Sequence, residues 1–266
     1  MEPVHLAFLW HQHQPLYKDL IRGHYVLPWV RLHAIKDYLG MLLVLKEFPR
    51  IRCTINMVPS LVLQISEYAD GTAEDDSLRV TRKPASDLTR ADRRHMAELF
   101  FAGNPPRLIR PFPRYSELLD KRNHAKESGR EPLSDFAVEE LRDTQVWATL
   151  AWFHPLVVES DGVLAELRRK GRGFTEEDKA AMLERQQAVL RRVLPMHREM
   201  AERGQIEIST TPFYHPILPL LCNPECAREA LPDVPMPETR SDFRPDARVQ
   251  LDRAFALHEK VFGAPP

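Results

Sequence analysis

Cysteine is scarce in this 266-residue chain, with Cys53, Cys222 and Cys226 making up the whole set. An odd trio excludes a disulfide-stapled framework and points to a reducing compartment, the cytoplasm. Excess charge is missing too: 37 basic residues stand against 38 acidic ones, for a net charge of -1. Neither nucleic acid nor an anionic membrane surface is therefore an expected partner. No hydrophobic run reaches the length that crosses a membrane. Met1-Glu2-Pro3 leads into the first apolar segment without a basic region or a cleavable stretch, so no signal peptide is expected. Internal repeats and low-complexity tracts are likewise absent. Cys222-Asn-Pro-Glu-Cys226 has the spacing of half a zinc site, but no second Cys or His pair follows it. Ordinary thiols are the expectation there, and no metal or cofactor is expected.

What is present is enough apolar sequence, 43% of residues, to bury the core of one large α/β domain. The run Val4-His5-Leu6-Ala7-Phe8-Leu9-Trp10 suits a parallel strand buried on both faces. His11-Gln12-His13-Gln14-Pro15 ends it, and Pro15 stops the strand so that two imidazoles and two amides gather where α/β proteins place their chemistry. On extended backbone His11 and His13, two residues apart, point the same way. They can share a metal or share a polar substrate, and the amides of Gln12 and Gln14 favour hydroxyl-rich ligands over a metal shell. A His-rich turn that merely caps a strand is the plain alternative.

Further along, apolar positions recur at three and four from Trp29 to Lys46, predicting a helix. A β-branched strand follows from Ile51 to Met57, then Pro59 at the first turn of a helix reaching Tyr68. This β-α-β-α order implies a parallel sheet. The next convincing strand is Gln205 to Thr211. The long stretch before it reads as helices, a helical insertion of about 72–203. Thr89-x-x-Asp92 and Thr175-x-x-Asp178 look like capping boxes, Ser134 is a plausible cap for a helix through Phe153, and Pro195 should kink or divide the helix that begins near Glu176. A final helix is expected with Pro245 in its first turn, an apolar stripe of Ala247, Leu251, Ala254, Phe255, His258 and Phe262, and Gly263 as its stop.

Alternation along the third strand puts Gln205, Glu207 and Ser209 on one face and Ile206, Ile208 and Thr210 on the other. Glu207 then faces the interior of a closed barrel or, on an edge strand, the solvent. His215, set among Pro212, Phe213, Tyr214 and Pro216, has restricted backbone freedom, which suits either a fixed functional imidazole or a packed one.

The run His11 to Pro15, the segment Tyr25 to Tyr38 with its Leu-Pro-Trp-Val-Arg-Leu-His core, and the run Gly204 to Pro219 resemble signature regions of glycoside hydrolase family 57, in the flavour of its amylopullulanase and α-amylase members. Phe48 to Leu63 and Asn104 to Leu119 are similar as well, so the resemblance covers most of the chain. It implies a (β/α)7-type barrel acting on α-glucans with retention of configuration. It also implies substrate-binding roles for His11, His13, Gln14, Glu207 and His215, with Trp29, Arg31 and His33 supporting that wall or a neighbouring sugar. Retaining glycosidases need two carboxyl groups roughly 5 Å apart. The family's nucleophilic Glu and acid/base Asp lie in later signature regions that these residues do not include. The 266 residues are accordingly expected to be a single N-terminal portion of a longer catalytic domain, inactive alone, and no oligomeric state is indicated. Two rivals remain open: a metal-dependent deacetylase or amidohydrolase using His11 and His13 as ligands, and a non-catalytic glucan-binding remnant.

Overall fold

A computed structural model of the chain describes residues 4–236 and 242–266. Its sheet has three parallel strands in the order β1 (Leu9–Gln12), β2 (Cys53–Met57) and β3 (Ile206–Ser209). The register places Trp10 beside Ile55 and Ile55 beside Ile208, while His11 stands beside Asn56 and Asn56 beside Ser209. Because side chains alternate along a strand, this register sorts the sheet into an apolar face and a polar one. Ile55, Met57, Ile206 and Ile208 are buried on the first. Thr54, Asn56, Glu207 and Ser209 share the second with His11.

The first strand departs from expectation. Instead of being buried on both faces, Leu6, Phe8, Leu9 and Trp10 are exposed, and Gln12 is the buried residue of β1. The reason is positional: among the described residues β1 pairs with β2 alone and so stands at an edge of the sheet.

Helices account for most of the remainder. Trp29–Lys46 is one continuous helical stretch, as the periodicity predicts, but it runs as α1 (Trp29–His33), a π-helical turn (Ala34–Tyr38) and α2 (Leu39–Lys46). After β2, Pro59 opens α3 (Pro59–Asp70). From there to β3 the described residues hold no strand, only α4 (Asp76–Arg82), α5 (Arg90–Leu99), α6 (Pro113–Glu127), α7 (Val138–Leu150), α8 (Pro155–Ser160), α9 (Gly162–Lys170) and α10 (Glu176–Glu202), with short 3-10 and π turns. Beyond β3 come α11 (Leu218–Cys222), α12 (Ala227–Ala230) and α13 (Arg244–Phe262).

Local signals set several boundaries. The box at Thr89 and Asp92 forms in both directions, and Thr175 and Asp178 exchange the same pair of bonds. Ser134 caps no helix: its hydroxyl donates to Asp135, and α7 begins later, where Glu140 reaches back to the Ala137 N–H. Pro195 sits inside α10 without dividing it, so the 27-residue helix is continuous. In α13, Gly263 at φ 81° provides the left-handed stop. Its buried stripe is Ala247, Ala254, His258 and Phe262, whereas Phe255 points to solvent.

The chain divides into two compact units. One comprises the described residues of Met1–Leu16, Leu45–Ser66 and Leu194–Pro266, and it contains the sheet. Its apolar face meets α3 and α13, with Met57 and Thr210 facing Val62, Ala254, His258 and Phe262 across a narrow crevice. Each fully buried aliphatic side chain there, Ile55 and Leu61 among them, contributes about 1.5–3 kcal/mol. The other unit comprises Tyr17–Val44 and Glu67–Val193. Its core centres on α7, whose Trp147 stacks on Phe112 at 4.7 Å and donates from Nε1 to the Gly171 carbonyl at 2.8 Å. Among the described residues no helix is long and apolar enough to cross a membrane.

Candidate functional site

The polar face of the sheet carries a hydrogen-bonded row one residue wide. His11, Asn56 and Ser209 are register partners on three adjacent strands. His11 Nδ1 lies 2.7 Å from the Asn56 Oδ1, and Asn56 Nδ2 donates to the Ser209 hydroxyl at 3.0 Å. An amide oxygen can only accept, so it is the Nδ1–H of His11 that donates to it. Asn56 is buried, so it holds the His11 ring in a fixed orientation. No feature of Asn56 in the linear sequence marks it out; the role follows from strand register alone.

His13 continues the same face beyond the end of β1, its ring centroid 5.5 Å from that of His11. His215 arrives from the loop after β3 and closes a triangle, 5.0 Å from His11 and 4.9 Å from His13. Its backbone is left-handed at φ 58°, uncommon for a residue with a side chain. The loop is held from two sides. Gln250 of α13 accepts the Phe213 N–H at its carbonyl and the Tyr214 N–H at its side-chain oxygen, while the Arg253 guanidinium lies 4.1 Å from the Phe213 ring centre. Ser60, at the start of α3, donates its N–H to the Phe213 carbonyl at 3.0 Å. Burial, and then the proximity of His215 and His11, hold the His13 imidazole below its ordinary value. The trio consists of imidazoles alone, with ligand nitrogens all within 4.8 Å of one another.

Glu207 lies one row below. It faces Thr54 across the register, accepts its hydroxyl at 3.1 Å, and is exposed to solvent. Gln14 is half-buried next to His13 in sequence, and the Pro15 carbonyl after it accepts from the buried amide of Gln64 at 3.0 Å.

The remaining predicted residues belong to the other unit. Trp29 and His33 are half-buried and flank Trp152, with ring centroids 6.2 and 5.1 Å from it. His33 Nδ1 lies 2.5 Å from Asp37; burial opposes the Asp37 charge, but His33 and Lys36 together keep its carboxyl below the usual range. Arg31 lies in the interior, 2% exposed. Its guanidinium donates from Nε and Nη2 to Asp75 at 2.9 and 3.2 Å, and from Nη1 to Gln186 at 3.1 Å. Burial alone would raise the Asp75 carboxyl; Arg31, the Leu78 N–H and the Tyr68 hydroxyl instead hold it low. Cys53, Cys222 and Cys226 are free thiols.

Residues 7–266 match the model of glycosyl hydrolase family 57. The chain belongs to that family. No curated protein matches it. Among solved structures it is similar to a family 57 branching enzyme from Thermococcus kodakaraensis, at 14% identity and a TM-score of 0.40, over 98% of this chain and 31% of that one. A branching enzyme of the same type from Pyrococcus horikoshii matches at 14% identity and a TM-score of 0.41, over 98% and 33% of the two chains. An α-amylase from Thermotoga maritima matches at 14% identity and a TM-score of 0.39, again over 98% and 33%. The family 57 chain described here thus spans about a third of the length of the structures it matches. Within it, the positions that sequence reasoning missed are Asn56, Ser209, Gln250 and Arg253, which orient the histidines from other elements.

Proposed function

We propose that this family 57 chain carries the sugar-binding wall of a retaining glycoside hydrolase acting on α-glucans such as starch, glycogen, pullulan or maltodextrins. The observation that carries the reading is the set of fixed imidazoles, His11, His13 and His215, at the C-terminal ends of parallel strands. Open α/β sheets bind ligands in that place. Imidazoles and the amide of Gln14 supply both donors and acceptors, as a polyhydroxylated ligand needs. Glu207 serves as a sugar-contacting carboxylate one row below and not as the nucleophile. In the other unit Trp29 and His33, beside Trp152, offer aromatic surface for a sugar, and Arg31 has a supporting role from the interior of that unit.

On this proposal the sheet is part of a (β/α)7-type barrel, and the 266 residues act as a single N-terminal portion of the catalytic domain with the helical insertion of about 72–203. The nucleophilic Glu and the acid/base Asp come from signature regions outside these residues, so the chain by itself binds glucan without cleaving it. Free thiols support a cytoplasmic setting.

Affinity electrophoresis through amylopectin tests the binding, and a reducing-sugar assay tests the chemistry. Retardation of the wild-type chain, its loss in His13→Ala, and no sugar release are expected. Absence of retardation would overturn the glucan reading. Cleavage with a glycosyl adduct trapped on Glu207 would overturn the role given to that residue.

A further inference from the structure

The histidine trio has a geometry that sugar binding does not require. Three hydrogen-bonding side chains along a sugar ring are best spread out, one per hydroxyl, whereas these rings face one another at 4.9, 5.0 and 5.5 Å. Around a tetrahedral zinc ion, with Zn–N about 2.0–2.1 Å and each ring centre about 1.1 Å behind its nitrogen, imidazole centroids stand about 5.2 Å apart. The three observed separations, 4.9, 5.0 and 5.5 Å, all lie within about 0.3 Å of that value. The donor nitrogens, all within 4.8 Å of one another, would converge to about 3.4 Å around such an ion.

We propose that His11, His13 and His215 form a binding site for a divalent transition-metal ion, zinc being the best fit, with a fourth position open to solvent. Three features beyond ring spacing support it. The first is an orienting partner behind a ligand. Metal-binding histidines usually donate their second ring N–H to an oxygen that fixes tautomer and angle. His11 does this toward buried Asn56, which is itself held by Ser209. The second is preorganisation from a distant segment. His215 is held at φ 58° by the His215 N–H bond to the Pro212 carbonyl and by Gln250 behind the loop. A strained backbone persists where surrounding contacts over-determine it, and here they place an imidazole beside His11 of β1 and His13 just beyond it. The third is ligand chemistry. An all-imidazole set suits zinc, copper or nickel and is a poor match for calcium or magnesium, which take oxygen ligands. His11 and His13 are exposed and His215 half-buried, so an ion there would keep an accessible position, the arrangement of a reactive site and not of a closed structural one.

The site does not depend on the glucan reading, and the test keeps the two apart. The untagged chain, stripped with a chelator and dialysed, is titrated with zinc chloride by calorimetry and with cobalt(II) by visible absorption. The proposal expects one ion per chain with micromolar or tighter affinity, and cobalt bands of the intensity typical of four-coordination. His215→Ala and His13→Gln should each abolish the one-to-one binding. Asn56→Ala should weaken it about 10- to 100-fold, as loss of an orienting partner does. His124→Ala, at an exposed histidine on α6, should leave it unchanged. Circular dichroism on every variant separates lost ligation from lost folding. The proposal is overturned if no stoichiometric binding occurs at submillimolar free zinc, or if such binding survives in folded His215→Ala. Amylopectin retardation by the stripped chain reports on the glucan reading separately.

Discussion

Replacing Asp75 by asparagine should be among the most damaging single changes in this chain, and the structure says by how much. Asp75 and Arg31 are both buried, with side-chain exposures of 0% and 2%. The carboxylate accepts two bonds from the guanidinium, at 2.9 and 3.2 Å, one from the Tyr68 hydroxyl at 3.0 Å and one from the Leu78 N–H at 2.8 Å. An amide keeps one oxygen, turns a donor toward other donors, and strands a buried positive charge. Breaking a buried pair by removing one partner costs roughly 3–5 kcal/mol. With a urea slope of about 3 kcal/mol per molar for a protein of this size, the midpoint should fall by about 1–2 M. Trp29, Trp147 and Trp152 all belong to the unit that holds the pair, so tryptophan fluorescence during urea titration at neutral pH reads the loss directly. The double variant Arg31→Met with Asp75→Leu removes both charges and should return to within about 2 kcal/mol of the parent. A single-variant loss below about 1 kcal/mol, or a double variant as unstable as the single one, would refute the argument that the stranded charge is what matters.

Three further outcomes are expected. Because His215 is held at φ 58°, His215→Gly should leave stability unchanged or raise it by up to about 1 kcal/mol while abolishing amylopectin retardation; a loss of stability beyond 2 kcal/mol in thermal melts would show that the ring itself is needed for folding. Asp92, bonded by Lys83 and Thr89, and Glu176, bonded by Arg142 and Lys179, are each held at about 2 despite partial burial. Their folded values lie below their unfolded ones, so their contribution is fully present above about pH 4 and is lost as pH falls toward 2; Asp92→Asn should flatten that acid limb, and an unchanged slope would count against the assignment. A Cβ added at Gly40 would stand 2.3 Å from the His154 ring, so Gly40→Ala should cost about 1–3 kcal/mol in chemical denaturation, with most of it recovered when His154→Ala is added.

Much of the local structure was legible because each signal needs only its neighbours in the chain. The two Thr-Asp capping boxes, Pro59 opening α3, and Gly263 ending α13 depend on backbone groups within four residues. Alternation in β3 gave the faces of Glu207 and Ile208 for the same reason. The errors have a common physical origin in what lies outside such windows. An apolar run does not say whether a strand is central or an edge, so the burial of β1 was overstated. Ser134 was one of several residues able to cap a helix, and Glu140 competed successfully. The π turn at Ala34–Tyr38 interrupts the α-helical run of Trp29–Lys46, which the spacing of apolar residues does not reveal.

By itself, then, the sequence determined the parallel strand segments, the helical middle of the chain, several helix ends, the histidine-rich strand end and, through its signature regions, membership of family 57. Only the tertiary structure decided which side chains face one another. Register between strands joined His11 to Asn56 across 45 positions, a loop braced by α13 brought His215 to His11 and His13, and Arg31 found Asp75 across 44 positions and Gln186 across 155. Those pairings are set by how buried faces pack and by the need of every buried charge and amide for a partner, which no stretch of sequence carries alone.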